Sequence, residues 1–212
     1  MAETVERRDR KAEVRRRILK AAFHIVADDG FRAAQVAAVA AAAGIATGTV
    51  YLYFPSKADL FAELFRKASS HEVAVLAQIA EVAAPAGERL DSIVRTFVHR
   101  AVRGHRLAYA LIAEPVAPAV EAERIESKRA YARVFARIVR DGIAAGEFPP
   151  QQVDITAACL IGALAEAMVG PLTPETFGDA AGEDELANGI AAFMRRAVMG
   201  ASDNVQKLRG TA

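Results

Sequence analysis

The stretch that decides the fold is residues 44–60, "GIATGTVYLYFPSKADL". It gathers two glycines, two tyrosines, a phenylalanine, a proline and a lysine next to segments dominated by alanine. Gly44 ends the alanine-rich run 37–43, and glycine readily takes the left-handed conformation that a sharp turn requires. Two short helices joined by such a turn form a helix-turn-helix, a layout typical of DNA-binding proteins. The stretch therefore predicts a tight turn that presents hydroxyl, aromatic and cationic groups.

The composition around this stretch predicts an all-α protein. The chain has 212 residues, of which 53% are hydrophobic and 25% charged, enough for one sizeable domain or a small domain joined to a larger one. Alanine, the best helix former, supplies much of the apolar fraction. Cys159 is the single cysteine, so an intramolecular disulfide is impossible and a reducing cytoplasm is expected.

Charge is unevenly distributed along the chain. Residues 1–67 carry 12 Lys and Arg against 8 Asp and Glu, whereas residues 68–212 carry 15 against 18. A basic first third predicts contact of that part with a polyanion. The N-terminal charges are followed by no signal-peptide region, and no apolar run is expected to span a bilayer. We therefore expect a cytoplasmic protein.

Apolar periodicity and breaker residues predict about nine helices. Residues 1–55 are expected to form the helix-turn-helix domain with a basic arm at 1–12, residues 56–200 a second helical domain, and residues 201–212 a flexible tail. The helix 56–82 links the two domains, and Ser56 with Asp59 has the spacing of a capping box at its start. The predicted helices are 13–29, 36–43, 47–53, 56–82, 89–103, 106–113, 120–145, 153–169 and 183–199.

The segment 38–61, "AVAAAAGIATGTVYLYFPSKADLF", closely resembles the signature of TetR/AcrR-type bacterial transcription regulators. That signature reads roughly I-A-x-x-A-G-V-S-x-G-T-x-Y-x-Y/H-F-x-x-K-x-x-L. Upstream, "ILKAAFHIVADDGF" (residues 18–31) resembles the first helix of the family. The resemblance covers about the first third of the chain. Matching positions are Val39, Ala40, Ala43, Gly44, Ile45, Gly48, Thr49, Tyr51, Tyr53, Phe54, Lys57 and Leu60.

Residue chemistry assigns roles that agree with this resemblance. Gly48 permits a close approach to the duplex, and Lys57 lies in the first helical turn, where free N–H groups and the helix dipole favour phosphate. Thr47 and Leu52 are the candidates for base contacts, since either side chain can touch a thymine methyl. The basic arm of residues 7–17 is expected to reach the DNA backbone or minor groove. The predicted DNA-binding residues are Gln35, Thr47, Gly48, Thr49, Tyr51, Leu52, Tyr53 and Lys57.

The sequence departs from the family signature at two helix starts. Ala46 replaces the usual serine before the recognition helix, and Ala34 with Gln35 replaces the usual hydroxyl residue before the second helix. Binding is therefore expected to depend more on Gln35, Lys57, the tyrosines and the arm. Three alternatives stay open: Tyr51 as a core residue, Lys57 as a merely solvated charge, and the arm as a solvated tail.

For the later helices, the resemblance implies effector binding and dimerisation. The helices near 153–169 and 183–199 carry small and apolar residues and are predicted to form a four-helix interface between two subunits; the alternative is ordinary monomer core. An apolar or amphipathic effector is expected in a mostly apolar pocket with a few polar groups. Cys159 is most simply a small core residue. The candidate ligand-binding residues are Phe97, His105, Tyr109, Phe135, Cys159 and Glu166, with His99, Glu114 and Met168 as weaker candidates.

Three functions follow from these patterns. The first is a homodimeric repressor that releases a palindromic operator when a small molecule binds. The second is a DNA-binding regulator without a small-molecule switch, either constitutive or controlled by a protein partner. The third is an α-helical enzyme, which the lack of G-x-S-x-G, P-loop, H-E-x-x-H and dinucleotide signatures disfavours. The histidines lack metal-ligand spacing with Cys or carboxylate residues, so no metal or cofactor is predicted.

Overall fold

The structure is a computed structural model that describes residues 2–173 and 182–200, with side chains described from residue 8 onward. Within those ranges the regular structure is entirely α-helical, which confirms the predicted fold class. The predicted tail 201–212 lies outside the described residues. The helices are α1 (Ala2–Ala33), α2 (Val36–Ala42), α3 (Thr47–Tyr51), α4 (Lys57–Ala80), α5 (Ala86–Arg103), α6 (His105–Ile112), α7 (Pro118–Ala144), α8 (Val153–Leu172) and α9 (Glu183–Met199).

The chain divides into two compact units. The first comprises residues 1–70 and 104–127, and the second comprises residues 71–103 and 128–212. The first unit therefore includes α6 and the start of α7, beyond the expected helix-turn-helix boundary at residue 55. Ala110 and Val120 are buried in the same apolar cluster as the residues of α1 to α4, which is why the later segment belongs to this unit.

Helix α1 is longer than predicted and is broken near its end. It begins at Ala2, whereas the periodicity predicted a start at residue 13. Ile18 and Ala22 on the predicted apolar face are fully buried. Gly30 takes the left-handed conformation, with φ 80° and ψ 175°, as expected of a glycine that ends a helix. One further helical turn follows it to Ala33, so α1 bends at Gly30 before the chain enters α2.

The turn between α2 and α3 has the hydrogen bonds of a Schellman motif. Gly44 has φ 66°, its N–H bonds the Ala41 carbonyl at 3.1 Å, and the Ile45 N–H bonds the Ala40 carbonyl at 3.0 Å. Ile45 is half-buried against the core, and Val50 of α3 is buried beside it. The predicted turn glycine is therefore confirmed, and Ile45 packs where the two helices meet.

The start of α4 also forms as the sequence predicts. The Asp59 N–H donates to Ser56 Oγ at 3.1 Å, and that hydroxyl donates to the Asp59 carboxylate at 2.7 Å. The Ser56 hydroxyl thus caps one free N–H group in the first turn of α4, where Lys57 lies, and the Asp59 carboxylate accepts from that hydroxyl. Leu60 and Leu64 on the inner face are buried and join the core of the first unit. The cap therefore sets the position of Lys57 relative to α3.

In the second unit α9 packs mainly along α5, and α8 contacts both. Ile190 and Met194 of α9 are buried inside the chain, whereas Phe193 is 52% exposed. The predicted apolar stripe of α9 is therefore shared between monomer core and surface. Helix α8 buries one face through Leu160, Leu164 and Met168. Its opposite face is exposed and made largely of small residues: Ala158, Cys159, Gly162, Glu166 and Ala167.

One helix among the described residues, α8, is long and apolar enough to cross a membrane by length and composition alone. This differs from the expectation that no run would be long enough, because only Asp154 and Glu166 interrupt its apolar sequence. The core helix of a soluble protein passes the same test. Only 33% of the most apolar 18-residue segment of α8 is buried within the chain, so much of the apolar surface of α8 is exposed.

Candidate nucleic-acid interface

Helix α3 presents most of the predicted DNA-contacting side chains at the surface of the first unit. Leu52 is 77% exposed and Tyr51 is 47% exposed, while Thr47 is exposed and Thr49 and Tyr53 are half-buried. The alternative that Tyr51 is a core residue is therefore wrong. Val50 and Phe54 are buried and hold the helix to the core. Tyr51, the last residue of α3, and Leu52, which follows it, form an apolar surface suited to a partner.

Gly48 is not needed by the fold. It lies in α3 with no positive φ, and a Cβ built on it would meet no atom within 4 Å. Alanine would favour a helix more strongly than glycine at such a position. Packing inside the chain therefore does not require a glycine at residue 48. The absence of a side chain leaves the exposed backbone of α3 accessible to a large partner, as the predicted close approach to a duplex requires.

Lys57 shares an open groove of about 430 Å³ with a second cation that the sequence did not single out, Arg32. Phe31 and Phe61 contribute aromatic surface to this groove, and the Lys57 ammonium lies 5.6 Å from the Phe61 ring centroid. Arg32 is exposed in the turn that follows Gly30. The only sequence signal for Arg32 was its position just before α2, where a cation would face the same partner as Lys57.

Gln35 and Ala46 stand at the N-caps of α2 and α3 without a side-chain cap hydrogen bond. Gln35 is exposed, so its amide is accessible to a partner. The Thr49 N–H instead bonds the backbone carbonyl of Ala46 at 2.9 Å. These two helix starts therefore lack the hydroxyl groups found in the family signature, as the sequence predicted.

Two arginines of the predicted arm make contacts with other parts of the first unit. The Arg15 guanidinium pairs with both carboxylate oxygens of Glu63 on α4 and lies 4.8 Å from the Phe54 ring centroid. Arg17 donates to the Ala43 carbonyl at 2.7 Å, where the negative end of the α2 dipole favours a cation. Arg15 is half-buried and Arg17 is exposed, so each binds its partner at the edge of the first unit's core and connects α1 to α4 or α2.

The remaining charges of the predicted arm lie on the same helix. Arg8, Lys11 and Arg16 are exposed on α1, and Arg16 bonds Glu13 one turn earlier at 2.7 Å. The side chain of Arg7 lies outside the described residues. Residues 8–17 are thus helical, and any contact with DNA would come from one face of α1.

The predicted ligand-binding residues are divided between the two compact units. His105 and Tyr109 are half-buried on α6 in the first unit. In the second unit Phe135 is fully buried. Cys159 and Glu166 are exposed on α8, so the expectation of a core position for Cys159 is wrong. Cys159 lies on the exposed small-residue face of α8, about 100° around the helix from the buried Leu160.

Within the second unit, Phe97 lies beside a tyrosine that the sequence did not single out. The rings of Phe97 and Tyr131 meet edge to face with centroids 6.0 Å apart. Burial raises the pKa of the Tyr131 hydroxyl, and the charge of Glu72 raises it further. Glu72 is held by two hydrogen bonds from Arg100, at 2.7 and 2.6 Å. The cluster combines aromatic surface with fixed polar groups, the combination typical of a ligand site.

Comparisons with known sequences cover both units. The family profile described as "Bacterial regulatory proteins, tetR family" matches residues 18–64, and the profile "Tetracyclin repressor-like, C-terminal domain" matches residues 83–169. The fatty acid metabolism regulator protein of Bacillus subtilis is 28% identical over 132 residues, which are 61% of this chain and 68% of the relative. The transcriptional repressor KstR of Mycobacterium tuberculosis is 29% identical over 146 residues, 67% of this chain and 66% of the relative.

Solved structures share the fold over most of the chain. The regulator FadR from Bacillus subtilis in complex with stearoyl-CoA superposes with a TM-score of 0.73 at 23% identity, covering 86% of this chain and 98% of that one. At this identity the likeness shows the fold. Together with the two profiles and the surface built by α2, α3 and Lys57, it leads to one conclusion. The chain belongs to the TetR family of bacterial transcriptional regulators.

Proposed function

We propose that this regulator is a homodimeric repressor that binds a palindromic operator and is released from it by a fatty acyl-CoA. The proposal rests on the exposed surface of the first unit. There Thr47, Gly48 and Leu52 are exposed near Lys57, and the packing of the chain does not require these residue types at these positions. Thr47 and Leu52 contact bases, while Lys57 and the hydroxyls of Thr49 and Tyr51 contact phosphate.

Dimerisation is supported by the uncovered apolar surface of α8 and α9. Ile155 and Phe193 are 59% and 52% exposed, and small residues between them let a second helix pair approach closely. A two-fold four-helix interface covers this surface and presents two copies of α3, as a palindromic operator requires. This interface also accounts for the membrane-like composition of α8 without a membrane.

The effector class is taken from relatives that act in fatty acid metabolism. In this chain Phe97 beside Tyr131 offers aromatic surface next to the fixed Glu72–Arg100 pair. We propose that the acyl chain binds in the second unit and packs against these two rings. Phe135, fully buried in that unit, forms part of the supporting core. Cys159 and Glu166 then belong to the subunit interface and not to the effector site.

The proposal is tested by fluorescence anisotropy with DNA from upstream of the protein's own gene. Binding should be sequence-specific and should be lost on addition of stearoyl-CoA at micromolar concentration, whereas free coenzyme A has no effect. If DNA binding does not change with any acyl-CoA, the protein is a DNA-binding regulator that acyl-CoA does not control. Absence of any binding at low salt would contradict the proposal as a whole.

A further inference from the structure

A buried carboxylate from the α6–α7 junction holds the chain where α1 ends. Glu114 Oε2 accepts the N–H of Phe31 at 2.9 Å, and Glu114 Oε1 accepts the N–H of Arg32 at 2.7 Å. Glu114 is only 9% exposed. A buried carboxylate is costly unless hydrogen bonds satisfy it, and hydrogen bonds with a charged acceptor are stronger than neutral ones. The two backbone N–H groups therefore hold the Glu114 carboxylate in place, and the carboxylate in turn holds the backbone of residues 31 and 32.

Gly30 makes this contact possible in two ways. Its φ of 80° turns the chain so that the next two N–H groups point towards the carboxylate. A Cβ on Gly30 would also lie only 2.7 Å from Glu114 Oε2. Any side chain at residue 30 would thus be strained and would displace the carboxylate. Gly30 and Glu114 form a matched pair, and we call the contact between residues 30–32 and Glu114 the α1 clamp.

The α1 clamp is anchored from behind by a buried arginine. Arg124 of α7 is 8% exposed and donates to the backbone carbonyl of Glu114 at 2.7 Å and to that of Leu111 at 3.0 Å. Its guanidinium also lies 5.8 Å from the Phe65 ring centroid. The junction that carries Glu114 is therefore held to α6, α7 and α4 inside the first unit, so the clamp has a rigid base.

The α1 clamp holds Phe31 and Arg32, which lie directly before the helix-turn-helix. Arg32 is one of the two clamped residues, and α2 starts four positions later at Val36. Arg32 lines the same groove as Lys57, and Pro115 and Val116, next to Glu114, form part of its wall. The clamp thus sets both the point at which the chain enters α2 and the distance between two cations on the proposed DNA surface.

We infer that Glu114 is a positioning residue for operator binding. It contacts no DNA itself; through residues 30–32 it fixes the orientation of α2 and α3 and places Arg32 beside Lys57. This inference rests on the proposed DNA-binding function. Recognition of the operator requires that α2 and α3 keep a fixed orientation, whereas non-specific binding to phosphate depends chiefly on charge. Loss of Glu114 should therefore weaken the first kind of binding more than the second.

The test compares Glu114→Gln with Glu123→Gln. Both substitutions remove one negative charge in the same region, but Glu123 pairs only with Arg66 at 3.7 Å among the contacts described. A glutamine at 114 replaces one accepting carboxylate oxygen with an amide NH2 group, a donor that faces a backbone N–H donor. We expect Glu114→Gln to weaken operator binding roughly tenfold or more and to change binding to random-sequence DNA by less than about threefold. Glu123→Gln should change neither by more than about threefold.

Operator binding by Glu114→Gln equal to that of Glu123→Gln would overturn the inference. So would an equal loss on operator and random DNA, because that result indicates a general effect on charge or folding. If the unchanged protein binds no preferred sequence, the proposed function fails instead. Should Glu114→Gln not fold, amide hydrogen exchange on the unchanged protein bound to operator decides the matter. The Phe31 and Arg32 amides should then be protected, and exchange of either at the unprotected rate would contradict the clamp.

Discussion

At the scale of single residues, several side chains on α3 and at the start of α4 are exposed although the fold does not need them there. The sequence predicted this set because hydroxyl, aromatic and cationic groups crowd into residues 44–60. It did not distinguish Arg15 and Arg17, which bind the Glu63 carboxylate and the Ala43 carbonyl, from other cations of α1 such as Arg8. That distinction depends on which face of α1 meets α2 and α4, and a run of neighbouring arginines does not contain this information.

Gly48→Ala should separate DNA binding from stability. Since a Cβ at residue 48 meets open space, the variant is expected to be as stable as the unchanged protein or about 0.5–1 kcal/mol more stable. Its operator affinity should fall, because the added methyl keeps the backbone of α3 away from the duplex. Thermal unfolding and anisotropy on the same samples check both parts. A variant that binds DNA normally would show that no close approach occurs at this position.

Lys57→Ala and Thr47→Ala should fail in different ways. Loss of the Lys57 phosphate contact is expected to weaken binding to all sequences about equally and to reduce the slope of log K against log salt by about 1. Loss of Thr47 should leave the salt slope unchanged and alter the preferred bases. Salt titrations and competition with base-substituted operators distinguish the two effects. Identical behaviour of the two variants would contradict the assigned roles.

At the scale of elements, the helices were predictable because their signals are local. Apolar periodicity, Gly44 and the Ser56–Asp59 cap each act within a few residues. The Glu114 and Glu147 contacts were not predictable, since each carboxylate binds backbone N–H groups far away in sequence: Glu114 reaches Phe31, and Glu147 reaches Ala86 and Gly87 at the start of α5. Only the fold brings these groups together.

Glu147→Gln should remove a pH-dependent part of the stability. The N–H of Ala86, with that of Gly87, holds the pKa of the Glu147 carboxyl below its usual value of 4.5. The stabilisation is therefore fully present above that value and is lost as the pH falls through the lowered pKa. At pH 7 the variant is expected to lose about 1 kcal/mol, roughly 2–4 °C in Tm, and the difference should shrink below pH 4.5.

Glu88→Gln is the matched control, because Glu88 is exposed in the same first turn of α5. Its Tm difference should be smaller than that of Glu147→Gln at pH 7. Scanning calorimetry between pH 3 and 7 follows both variants. A Tm difference for Glu147→Gln that stays constant across this range would rule out the ionised carboxylate as the capping group.

At the scale of the whole molecule, the sequence predicted an all-α fold with a DNA-binding part and a second helical part. It placed their boundary by chain order, whereas the first compact unit also takes in residues 104–127. The reason is that Ala110 and Val120 complete the core beneath α1 and α4. The candidate ligand-binding residues were chosen by type alone, so they are distributed between buried positions, α6 and the exposed face of α8.

Gly162→Arg should separate the proposed dimer into monomers. Gly162 is exposed on α8, and a Cβ there meets no atom within 4 Å in the single chain. The arginine is therefore tolerated by the monomer and places charge in the proposed interface. Sedimentation velocity should show a dimer for the unchanged protein and for Ala144→Arg, an exposed control on α7, and a monomer for Gly162→Arg. The exposed Cys159 thiol should also react faster in that variant. A Gly162→Arg protein that remains dimeric would place the interface elsewhere.

The central claim is that the surface formed by residues 47–57 reads a DNA sequence. Selection of bound fragments from a random DNA pool tests it most directly, with Thr47→Ala selected in parallel. The unchanged protein is expected to enrich one palindromic sequence, and Thr47→Ala is expected to change the base preference. A pool that stays random after repeated rounds at low salt, or two proteins that enrich the same sequence, would contradict it.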